Sequence, residues 1–135
     1  MFLRIKMSET EILLEFKTQL IAFFDELITQ FPEQGNLLVA RIFLSSQVPI
    51  KDVMDTINLQ LNLNDQQLKK MIRERNDNFF LEHDIFNGLG KDEVTIFKNI
   101  WRSDRLDADD KKVIWTWIDT FVYFTEKYTK VLANK

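Results

Sequence analysis

KKVIWTWIDTFVYFTEKY, Lys111–Tyr128, gathers two tryptophans, two phenylalanines and two tyrosines into eighteen residues. Ile114, Trp117, Phe121, Phe124, Tyr128 and Val131 recur at alternating steps of three and four, the spacing that keeps side chains on one face of an α-helix. Trp115, Ile118, Val122, Thr129 and Leu132 make a second stripe about 100° round from the first. The combined apolar face is too broad for a single neighbour. Thr116, Asp119, Thr120, Glu126, Lys127 and Lys130 leave only a narrow polar side. Such a helix is either the centre of a bundle, gripped by two or more others, or a core helix with one edge left open as an anchor for a partner. Trp115 and Tyr123 fall toward the edges of the main stripe and are the first candidates for exposure. With Trp101 they form the candidate partner-binding set.

The rest of the chain suits the bundle. Its 135 residues fit one domain with a real core. Twelve phenylalanines against three glycines and two prolines favour long helices over many short strands and turns. With no cysteine, disulfides, thiolate nucleophiles and the common zinc frameworks are excluded, so the fold rests on packing. Charges interrupt every apolar run, so no membrane span is expected, and a reducing, cytoplasmic setting suits the composition.

Residues 1–7 read as an N-terminal arm or alternative start, and 8–135 as a single helical domain. Ser8 with Glu11 three residues on is a capping-box signature, and the spacing predicts a helix from Glu9 to about Gln30, ended by Phe31-Pro32. A second helix is expected from Leu37 to about Ser46; its apolar residues run nearly all round, which predicts burial on several sides. Pro49 opens a third helix through Gln60. Asn64 with Gln67 resembles an amide-capped start for a fourth, ending near Arg75. Residues 76–91 hold one or two helical turns and an NGLG turn; another helix starts at Asp92, and Asp107 can cap the last, which runs to about Leu132. The expected fold is all-α: a single compact bundle of about five to seven helices closed by a long aromatic C-terminal helix.

Chemistry is thinly represented. His83, the one histidine, sits between carboxylates in LEHD without a second ligand at metal-binding spacing and reads as solvated. Asp104, Asp107, Asp109 and Asp110 lack the glycine and terminal glutamate of a calcium loop and read as capping residues. GLG at 88–90 has no phosphate-loop lysine. No catalytic residue, metal or cofactor is therefore expected, and the chain reads as a non-enzyme. The net charge of −3 argues against a protein whose main work is neutralising phosphates. Locally, however, the third and fourth helices have a helix-turn-helix layout, with Gln66, Lys69 and Arg73 on one outer face and Lys70 beside them. That pair, at about residues 50–76, is the alternative, nucleic-acid-binding reading.

Finally, the opening helix ending in QFP, then IFNGL, then NIWRSDRLDADDKKVIWTWIDTFVYFTEKY resembles small helical proteins of unassigned function from large nucleocytoplasmic DNA viruses. The resemblance spans roughly Ser8–Tyr128 and is most specific over Ile100–Phe121. It implies a context rather than a chemistry: a virus-encoded accessory factor or minor virion component in infected cytoplasm. The function expected is protein–protein interaction or a structural role, with a protein partner or a second copy of the chain.

Overall fold

A computed structural model describes residues 7–82 and 93–134. Every regular element among them is helical: α1 (Glu9–Gln30), α2 (Gly35–Ile42), a π-helical turn (Phe43–Gln47), α3 (Ile50–Asn62), α4 (Gln67–Arg73), α5 (Asn78–Glu82), α6 (Glu93–Arg102) and α7 (Ala108–Ala133). The fold is the all-α bundle with a long C-terminal helix that the periodicities predict. The arm at residues 1–6, His83 and the NGLG turn lie outside the described residues.

The two long helices begin where their caps dictate. The Ser8 hydroxyl accepts from the Glu11 amide at 3.2 Å while the Glu11 carboxylate accepts from the Ser8 amide at 3.3 Å, so two otherwise orphaned amides are satisfied at once. Asp107 and Asp110 repeat the arrangement at α7, at 2.8 and 3.2 Å. Asp110 also accepts from the Gln30 side-chain amide at 3.2 Å, which ties the start of α7 to the end of α1.

α1 and α7 lie antiparallel and supply the centre of the core. Phe16 meets Phe121 edge-to-face with ring centroids 6.1 Å apart, and Phe124 at 6.2 Å. Two turns on, Phe23 meets Phe121 at 5.5 Å and Trp117 at 5.7 Å. The Trp117 indole donates to Glu26 at 2.9 Å, giving the half-buried ring a partner for its polar edge. Aromatic pairs at such distances add about 0.5–1.5 kcal/mol each beyond the area they bury. Met54, Ile57 and Leu61 of α3 and Leu68, Met71 and Ile72 of α4 close the remaining sides.

Three sequence expectations change here. α2 is not buried on several sides: Leu37, Ala40 and Leu44 are covered by α1 and α6, while Leu38, Val39, Ile42 and Phe43 face outward. The helix ends four residues before Ser46, because the chain widens into a π turn in which the Ser45 and Ser46 hydroxyls both donate to the Ile42 carbonyl at 3.0 Å. Asn64 does not cap α4 either. Asn64, Asp65 and Gln66 are successive left-handed residues, with φ of 52, 56 and 63°, and α4 starts only at Gln67.

Left-handed backbone costs an L-residue about 1–2 kcal/mol, with asparagine and aspartate the better-tolerated types. Gln66 has neither excuse, and its side chain makes only an exposed contact to Asn62 at 3.3 Å. Gln66→Gly is therefore expected to stabilise the domain by about 1 kcal/mol, visible as a raised urea midpoint at unchanged slope. A lowered midpoint would mean that the turn draws its stability from the glutamine side chain.

Candidate functional site

Three surface regions were singled out by the sequence or emerge from the fold. The first is the outer face of α2 and the π turn. Leu38, Val39, Ile42 and Phe43 occupy positions i, i+1, i+4 and i+5 of one helical face and are 40–51 % exposed. Beside them Arg41 pairs with Asp25 of α1, and Lys17 donates to the Ser45 carbonyl at 3.1 Å. Both of these cations are thus engaged, and the four side chains left outward between them are apolar. Exposed large hydrophobics scattered singly need no explanation, but four adjacent on one short helix form a patch. The sequence signal for this patch was the all-round apolar pattern of LLVARIFL; periodicity alone could not say which side lacked a neighbour.

The second region is α7. Tyr123 is 52 % exposed, with the Lys127 ammonium 5.3 Å from its ring centroid, in line with its expected place at the stripe's edge. Trp115 and Trp101 are not surface residues: they are 5 and 3 % exposed. Their indoles pack edge-to-face at 5.5 Å, and Trp115 also meets Phe79 of α5 at 5.8 Å. The cause is long-range. Arg75, just after α4, and Phe79 of α5 close over Trp115 from a stretch of chain some forty residues upstream, which no helical wheel of α7 can reveal. The structure therefore separates the three candidate partner-binding residues, leaving only Tyr123 at the surface.

The third region is α4. Lys70 and Arg73 are exposed and Lys69 is half-buried; Gln66 is exposed but sits in the left-handed turn before the helix. The seven residues of α4 rise only about 10 Å, two turns, and Glu74 follows directly as its C-cap. This is a short basic face.

Ionisable groups with displaced affinities lie elsewhere, at the α1–α3–α7 corner. The Tyr128 ring is fully buried and its hydroxyl reaches Glu9 at 3.4 Å. Burial raises its pKa, as do the negative charges of Asp55 and Glu9, against an opposing effect of Lys51. Lys51 is raised in turn by its hydrogen bond to Asp55 at 2.7 Å and by that carboxylate's charge. Both groups hold their protons more tightly folded than unfolded, so this stability is complete below the ordinary Tyr and Lys range, about pH 10, and is lost as pH rises through the folded values. Melting temperature is expected to fall as pH rises above about 10, and less steeply in Tyr128→Phe. An equal slope in the variant would remove Tyr128 from the linkage.

Among the described residues no group of three or more His, Cys, Asp or Glu side chains could hold a metal ion. No described helix is long and apolar enough to cross a membrane. Comparison with protein-family models, with curated proteins and with solved structures finds no match to this chain.

Proposed function

We propose that this chain is a non-enzymatic interaction module that docks a protein partner on the outer face of α2 and the π turn. The observation that carries the reading is the adjacency of Leu38, Val39, Ile42 and Phe43, all about half exposed, on an element whose opposite face is already committed to the core. Removing such side chains from water is worth about 25 cal/mol per Å² of apolar area, and a polar partner would forfeit it. The resemblance of the Ile100–Phe121 region to helical proteins of large DNA viruses supplies the proposed setting, infected cytoplasm or the virion.

The test is affinity purification of the tagged protein from cells that naturally produce it, with and without nuclease, comparing wild type with Val39→Asp/Ile42→Asp. Both positions are surface-exposed, so each change is expected to move stability by about 0.5 kcal/mol or less, checked by thermal melts. A defined partner that survives nuclease, binds the purified wild type directly and loses at least tenfold in affinity for the double variant supports the reading. Equal binding by the two proteins sinks it. Capture that disappears with nuclease would direct attention to Lys69, Lys70 and Arg73 instead.

A further inference from the structure

Asp109, Val113, Thr116, Thr120, Tyr123 and Lys127 follow one another along α7 at steps of four, three, four, three and four. That is the spacing of a coiled-coil seam. It lies between the side of α7 that packs on Phe16 and Phe23 of α1 and the side closed by Arg75 and Phe79. Val113 and Tyr123 are about half exposed, Asp109 and Thr116 are exposed, and Thr120 and Lys127 are half-buried. The strip is about 27 Å long and shares no residue with the α2 face.

The pattern reads the same from either end. A second copy laid antiparallel therefore sets Val113 against Tyr123, Thr116 against Thr120 and Asp109 against Lys127, each contact occurring twice. Along one flank Lys112 then faces the second copy's Glu126; both are exposed, and neither forms an ion pair among the described residues. Asp119, on the same flank near the middle, is neutralised by Arg75 at 2.8 and 2.7 Å. Parallel copies would instead oppose Asp109 to Asp109 and Lys127 to Lys127, so charge selects the antiparallel arrangement.

The surface has the relief that such a pairing needs. Val113, Thr116, Trp117 and Thr120, at positions i, i+3, i+4 and i+7, border a groove of about 290 Å³ together with Gln19 of α1. Four residues at that spacing form the hole that receives a knob from a facing helix. In the antiparallel register the knob is the second copy's Thr120, small enough to let the two helices close.

We infer that the outer face of α7 pairs antiparallel with the same face of a second copy of this chain. Val113, Tyr123 and the open edge of Trp117 supply the apolar contact, while the charges at the ends and flank set direction and register. A strip of this length is at the small end of specific interfaces, so the dimer is reversible and dilute melts read the monomer.

Sedimentation velocity of the full chain at concentrations up to about 1 mM tests the pairing. Wild type is expected to pass from monomer to dimer, and Tyr123→Ala to weaken the dimer at least tenfold. Lys112→Glu brings carboxylates together at the flank and Glu126→Lys brings ammonium groups together, so each alone should weaken the dimer about threefold or more. An equimolar mixture of these two variants should dimerise at least as tightly as wild type, because every such contact in the mixed pair joins opposite charges. A wild type that stays monomeric overturns the assignment, as does a dimer indifferent to Tyr123→Ala or a mixture no tighter than its parents. A dimer lost in Val39→Asp/Ile42→Asp but kept in Tyr123→Ala also overturns it, and moves the self-contact to the α2 face.

Discussion

Phe121→Ala is expected to cost the domain about 3–5 kcal/mol, read as a drop in urea midpoint at nearly constant slope. The ring is 2 % exposed and touches Phe16, Phe23 and Trp117 with centroids 5.5–6.2 Å apart, so truncation removes three aromatic contacts together with the buried area. Its neighbours belong to two long helices that cannot both move in to refill the space. Against a typical total of about 5–15 kcal/mol, such a loss would leave the variant partly unfolded near body temperature. A change below about 1 kcal/mol would mean that α1 and α7 are not packed through this ring.

The second large effect separates two aromatic residues of the same helix. Trp115→Ala should destabilise by about 3–5 kcal/mol, because the indole fills the junction of α5, α6 and α7 against Phe79 and Trp101. Arg75 would also lose the ring it rests on. Tyr123→Ala, eight residues on, should stay within about 0.5 kcal/mol, since half of that side chain already meets water. Paired thermal melts decide the matter. A Trp115 variant as stable as the Tyr123 variant would place the indole at the surface; the expected outcome makes Trp115→Ala useless as a probe of binding, because lost partners could not be told from lost fold.

These two residues also mark what the sequence made legible. α1 and α7 were readable almost to their ends, because Ser8 with Glu11 and Asp107 are local signals and a stripe of large side chains over many turns has one physical meaning. Tyr123 at the edge was readable for the same reason. Trp115 was not: the stripe tells which residues want cover, while the number of covering neighbours is decided by segments far along the chain. LLVARIFL failed in the opposite direction, reading as buried where a neighbour is missing on one side. The Arg75–Asp119 pair was illegible too, since nothing local to Arg75 predicts a bidentate partner forty-four positions later.

The antiparallel pairing of α1 with α7 also governs the order in which the domain can be built. Glu9 meets Tyr128 across 119 positions, Glu26 meets Trp117 across 91 and Gln30 meets Asp110 across 80. Contacts of such separation cannot form before both partners have been made, so Phe16 and Phe23 of α1 must wait for α7 to leave the ribosome. At about 5–20 residues per second that interval is several seconds, during which its phenylalanines have α2, the π turn, α3 and, later, Phe97 of α6 for shelter but not α7. A newly made chain is thus at its stickiest just before α7 arrives, and a ribosome stalled ahead of that helix would display an aggregation-prone α1 rather than half a domain.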